Sequence, residues 1–218
     1  MKLKCWILFI AIGGLLPVKA QVQDTIIDSD YTWETLKSKF DLHYSQTLFT
    51  QDFSNYQKQI DNMDLIDVTY YGYDNKLHRG QLICHQSVAD DLKSIFNQLL
   101  WIKFPIYSVI PISEFNFDDY LSMRANNTTC FDFRKKTLKN GWSEHAFGRA
   151  IDLNPIQNPY ITNRVILPET FDLVNPTGRI RLYETNGQQI ISIFRMYGWL
   201  WGGHWHSSKD YMHFEGLH

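Results

Sequence analysis

The segment Ser143-Glu144-His145-Ala146-Phe147-Gly148-Arg149-Ala150-Ile151-Asp152-Leu153-Asn154 carries residue types that bind metals, at a spacing that lets them meet. Its tail alternates. Ile151 and Leu153 belong to one face and Ala150 and Asp152 to the other, as in a strand with one wet face. Gly148 permits a tight bend that can bring His145 back beside Asp152. An imidazole and a carboxylate meeting in this way supply two ligands of a Zn²⁺ site. Taken alone, the segment is better explained by a satisfied surface His–Asp pair.

The C-terminal stretch Asp210-Tyr211-Met212-His213-Phe214-Glu215 alternates as well. Met212 and Phe214 suit a core face, and Tyr211, His213 and Glu215 the opposite one. His213 can be the third ligand, and catalytic zinc takes three protein ligands and leaves a fourth position for water. Asp210 lies three residues before His213 and would face the wrong way on a straight strand. It is therefore expected in the turn that opens the strand, where its carboxylate can serve as general base. His204 and His206 are rival ligands, because a His-x-His pair on a strand presents both rings to one face. They could instead line a groove with Trp199, Trp201 and Trp205, tryptophans that core packing also explains.

These residues need elements to hold them. Residues 31–62 lack Gly and Pro and repeat Trp33, Leu36, Phe40 and Leu42–His43 at helical spacing. Leu65–Tyr71 and Leu77–Cys84 read as strands, joined by the turn residues Gly72-Tyr73-Asp74-Asn75 into a hairpin. A helix follows, with Ser87 as its expected N-cap and Asp90 and Asp91 in its first turn. Val88, Leu92, Ile95, Phe96, Leu99 and Leu100 form its apolar face. Pro105–Ile112 is a short β-rich stretch, Pro159–Pro176 a Pro-punctuated loop, and Ser192–Tyr197 the end of a helix. Asn126-Asn127-Thr128-Thr129 matches glycosylation acceptors formally but reads as loop chemistry beside the site.

The 218 residues suit one domain, and 44% hydrophobic with 20% charged residues is a globular composition. A net charge of −2 gives no electrostatic case for nucleic-acid binding. Aromatics at 15% favour a β-containing fold with aromatic-lined grooves. Lys2 and Lys4, the apolar run Cys5–Leu16 and the small residues Val18 and Ala20 have the layout of a secretory signal peptide. The apolar run is too short to span a bilayer. Removing residues 1–20 takes three lysines and no acid, which moves the net charge to −5. Cys84 and Cys130 then remain, either as a disulfide or as two buried thiols.

Ser143-x-His145-x-x-Gly148-x-Ala150-x-Asp152 followed by Asp210-x-x-His213-Phe214 resembles the zinc peptidase family of VanY- and VanX-type D-Ala-D-Ala peptidases and L-alanyl-D-glutamate endolysins. Gly80–Ile83, the helix from Val88, Pro105-Ile106, Asp118-Asp119, Asn127-Thr128-Thr129, Phe131-x-x-Arg134 and Asn158-Pro159-Tyr160 are similar to its exported, VanY-like branch, so the resemblance runs from about Leu65 to Glu215. It implies His145, Asp152 and His213 as zinc ligands, Asp210 as base, and Ser143 as a hydrogen-bonding support. It also implies an arginine for the substrate oxyanion. Arg134 matches this branch better, while Arg124 resembles the Tyr-Arg-Ser element of others. Trp201, His204 and His206 are placed with Ser143 as substrate-side supports.

The expected fold is α+β, with a mainly antiparallel central sheet carrying the zinc site and flanked by helices, as in hedgehog and DD-peptidase domains. The expected division is a signal peptide at 1–20, an N-terminal helical segment at 21–64 and a zinc peptidase domain at 65–218. The resemblance implies an exported, Zn²⁺-dependent hydrolase of bacterial cell-wall peptides, cutting a peptidoglycan stem peptide or crossbridge. The chain is expected to be a monomer without nucleic-acid partner or stable membrane span. A non-catalytic, zinc-containing wall-binding module is the alternative, since the same scaffold occurs in hedgehog-type domains; a metal-free structural domain is a third.

Overall fold

The computed structural model describes residues 25–137, 140–169 and 181–216. Residues 1–20, expected from the sequence to be a signal peptide, lie outside the described residues. Strand β1 (Ile26–Ile27) is followed by helices α1 (Trp33–Thr47) and α2 (Thr50–Ile60). The helical pattern of residues 31–62 is thus broken at Leu48 and Phe49, both in extended conformation. No Gly or Pro marks this break. The chain folds back so that Tyr44 and Tyr56 meet with ring centroids 4.7 Å apart.

The hairpin forms as read, from β2 (Met63–Tyr71) and β3 (Leu77–His85) in antiparallel register, with Tyr71 opposite Leu77. Helix α3 (Ala89–Trp101) packs on β2. Its N-cap is Val88 without a side-chain bond, not Ser87. A 3-10 turn over Gln86–Val88 intervenes, and the His85 ring caps it by accepting from the Ser87 N–H. Pro105–Ile112 is not a strand; it makes only single bridges, Tyr71 with Pro105 and Ser108 with Asn127.

Helix α4 (Asp119–Arg124) leads into the second half. There β4 (Ala150–Asp152), β5 (Tyr160–Ile161) and β6 (Ile166–Leu167) precede helix α5 (Gln188–Met196). The last strands are β7 (Trp199–Trp201), β8 (Lys209–Asp210) and β9 (His213–Gly216). The fold is mixed α+β, but its strands form three small sheets in the orders β1-β3-β2, β4-β9-β7 and β6-β5-β8. Among the described residues all strand pairings are antiparallel except β1 with β3. Backbone bonds link the first two sheets: Phe131 N–H to Ile83 O, His85 N–H to Gly148 O, and a two-way pair between Thr129 and Asp152.

Two large apolar cores lie beneath this framework, with a small third cluster of Met123, Tyr160 and Met212. One joins α3 and α5 to Ile151, Leu153, Phe214 and Cys130. The other joins α1 and α2 to Phe131, Phe133 and Ala146. Cys84 and Cys130 are free, buried thiols, not a disulfide, and burial pushes the Cys84 thiol up to about 12. Asn126 and Asn127 are buried and bond to neighbouring backbone, as Asn126 Oδ1 accepts from the Ile156 N–H and Asn127 Oδ1 from the Ile110 N–H. They are structural bridges, closed to a glycosylating enzyme.

Candidate active site

The first motif begins with a cap. Ser143 N-caps a 3-10 turn over Glu144–Phe147, its Oγ accepting from the His145 N–H at 3.3 Å. Gly148 ends the turn with φ 61°, and a Cβ there would lie 2.5 Å from Met63 Sδ and 2.6 Å from His85 N. Both the left-handed backbone and the missing side chain are therefore required. The bend returns the chain into β4, with Ile151 and Leu153 in the core and Asp152 on the other face. That face is not wet, because Ala150 and Asp152 are buried too. Strand β9 pairs beside β4 with His213 directly opposite Asp152.

Three donor atoms converge as a result. His145 Nε2 lies 3.2 Å from Asp152 Oδ1 and 3.2 Å from His213 Nδ1, and His213 Nδ1 lies 3.1 Å from Asp152 Oδ1. All three residues are buried, and they form a group able to hold a metal ion. The outer nitrogens of both rings are already engaged. His145 Nδ1 donates to Cys130 O at 2.6 Å, and His213 Nε2 donates to Glu215 Oε2 at 3.3 Å. Fixing the outer N–H of each neutral ring turns its inner lone pair toward the centre. Three lone pairs at this separation repel unless a metal ion or a proton sits among them. A tetrahedral ion at ordinary zinc bond lengths spaces its ligands by about 3.3 Å, so the donor set fits such an ion.

Side-chain electrostatics agree. Burial opposes charge on Asp152, yet His145 and His213 hold its carboxyl far below the usual range. Burial likewise opposes charge on His213, but the bonds to Asp152 and Glu215 raise it to about 10. The Asp152 carboxylate thus favours positive charge beside it, carried by a proton on His213 where no ion is bound.

The group opens into a cavity of about 370 Å³. Asp210 lines it from β8, paired to β5 opposite Tyr160, so the base candidate lies in a short strand set off from β9 by Tyr211 and Met212. A Cβ on Gly202 would come within 2.7 Å of Asp210 O, and its absence allows the two backbones to approach. Asp210 Oδ1 is buried with no hydrogen-bond partner among the described residues. Burial pushes this carboxyl up to about 7, with His213 opposing the rise. Such a group can accept a proton near neutrality.

Of the two arginines, Arg134 lines the cavity and Arg124 does not. Arg124 is exposed and stacks over the Tyr120 ring at 5.5 Å. His204 and His206 are exposed and outside both the ligand group and the cavity lining, and the His204 ring packs edge-on against Trp201. Trp201 is a core residue whose Nε1 donates to Tyr211 O at 2.9 Å. Trp205 occupies the wall expected of Trp201, with its ring 5.2 Å from that of His213. Sequence reasoning missed Glu215 as the partner of His213, although its position on the His213 face was visible. It also missed Asp119 and Asp132, which pair with Arg134 and for which no local pattern exists.

The mixed α+β fold thus brings together a buried His/Asp/His group, two members on paired antiparallel strands and one on a 3-10 turn, that could hold a metal ion. Residues 137–216 match the family described as D-alanyl-D-alanine carboxypeptidase, which supports the VanY-like resemblance over that region and a carboxypeptidase-type metallopeptidase. No curated protein and no solved structure matches the chain.

Proposed function

We propose that the protein is an exported, zinc-dependent peptidase acting on the peptide of bacterial cell wall. The observation that carries the reading is the convergence of His145 Nε2, Asp152 Oδ1 and His213 Nδ1 in one cavity with the unpartnered Asp210 Oδ1. The family match over these residues supports the substrate class. Export is supported by the basic start and apolar run of residues 1–20.

His145, Asp152 and His213 would hold the ion. Bound zinc supplies a Lewis acid that polarises the scissile carbonyl and acidifies a water. Asp210 takes the proton of the attacking water and passes it to the leaving amine. Arg134 presents positive charge to the oxygen of the scissile carbonyl as it becomes an oxyanion. The cavity lining includes the apolar cluster Met123, Tyr160, Leu167 and Met212 and the polar residues Lys136, Thr137 and Glu144, so it can meet both the apolar and the polar parts of a peptide. Among the described residues no helix is long and apolar enough to cross a membrane.

The test is mass spectrometry of defined muropeptides after incubation with protein of known metal content. Close to one zinc per chain and loss of a terminal D-Ala is the expected result. A cut at L-Ala-D-Glu or in a crossbridge would make the enzyme an endopeptidase. Zinc without any cleavage would favour a wall-binding module.

A further inference from the structure

Arg134 does not stand alone at the cavity edge. Its Nε lies 2.9 Å from Asp119 Oδ2 and 3.0 Å from Asp132 Oδ2. Neither contact is aligned as a hydrogen bond, so the nitrogen sits between two carboxylates as an ion pair. The two acids come from different places. Asp119 opens helix α4, whose N-cap Asp118 accepts from the Leu121 N–H at 3.0 Å. Asp132 lies on the segment stitched to the ligand-bearing turn, with Asp132 N–H bonded to His145 O and Ser143 N–H bonded to Arg134 O. The Asp132 side chain is 3% exposed and that of Arg134 24%.

The cavity holds competing anions. Asp152 and Asp210 both act electrostatically on Arg134. A long, flexible guanidinium without other partners would be drawn toward them. Paired with Asp210 it would occupy the base, and paired with Asp152 it would compete for a metal ligand. Two nearer carboxylates remove that choice, and Nη1 is tied down as well, donating to Lys135 O at 3.3 Å.

We propose that Asp119 and Asp132 are positioning residues that clamp the Arg134 guanidinium at the cavity edge and keep it off Asp210 and Asp152. This rests on the peptidase reading above, with Arg134 serving the oxyanion. Because the contacts are ionic, Asp119→Asn loses the clamp although it keeps the shape.

The experiment is a double-mutant cycle on the metal-loaded protein, read as kcat and KM separately, with zinc content and melting temperature recorded for each variant. Asp119→Asn is expected to lower kcat by about 10²-fold with little change in KM, zinc content or melting. In an Arg134→Ala background the same substitution is expected to change kcat no further. Asp132→Asn repeats the cycle, and Asp119→Glu, which keeps the charge, is expected to restore part of the rate. An equal loss with and without Arg134, a rise in KM alone, or an unchanged kcat would overturn the proposal. So would failure of both Asn variants to fold, which would make the acids structural. Wild-type protein is assayed first, and its inactivity on every muropeptide would instead overturn the peptidase reading itself.

Discussion

Two polar clusters, one buried and one partly exposed, share one cavity wall and are built by different means. In the ligand group, position is set by backbone. Asp152 and His213 are opposed residues of an antiparallel pair, and His145 is brought in by a capped turn and a left-handed glycine. In the Arg134 cluster, position is set by charge. Arg134 belongs to no strand, and its side chain is held by carboxylates from a helix start and a neighbouring loop. A backbone-set site tolerates changes that leave the ladder intact, whereas a charge-set site fails when one charge is removed.

The largest effects are expected where the ladder delivers the donors. Asp152→Ala or His213→Ala should reduce bound zinc, measured by atomic emission, to near zero and bring peptidase activity to background. Retention of a full equivalent of zinc would break the assignment of that group. Asp210→Asn comes next: it should keep the metal while turnover falls by about 10²–10⁴-fold. Full activity in this variant would remove Asp210 as base.

Arg134→Ala tests the other cluster and should cost about 10²–10³ in kcat, with the metal retained. Arg124→Ala, assayed beside it, should stay near wild type because that side chain stacks on Tyr120 away from the cavity. The opposite ranking would exchange the two arginines. Within the ligand group the smallest effect belongs to Glu215→Gln, which weakens the outer hold on His213 and should lower zinc affinity by about 10–100-fold in a chelator competition. A larger loss there than for Asp152→Ala would mean that the ladder is not what fixes the donors.

The difference also explains what could be read in advance. The hairpin, the helix after it and the order His145, Asp152, Asp210, His213 follow from local periodicity, turn residues and short spacings. The break at Leu48 and Phe49 carries no Gly or Pro and arises because α1 and α2 fold onto each other through Tyr44 and Tyr56. Pro105–Ile112 has strand composition yet finds only isolated bridge partners. His204 and His206 have a metal-like spacing, but the chain turns through a 3-10 segment at Gly202–His204 and leaves both rings exposed. Trp201 and Trp205 are similar in sequence context, and only packing sends the first to the core and the second to the cavity.

Sequence by itself offered His145, Asp152 and His213 as one donor set beside the rivals His204 and His206, Asp210 as a candidate base, and the bend at Gly148, because alternation and a glycine act over a few residues. Tertiary structure alone decided which arginine lines the cavity, which acids hold it, and that α1 and α2 support the ligand-bearing turn through Phe131, Phe133 and Ala146. Those outcomes depend on segments far apart in the chain burying apolar surface together, and no local pattern records which segments will meet.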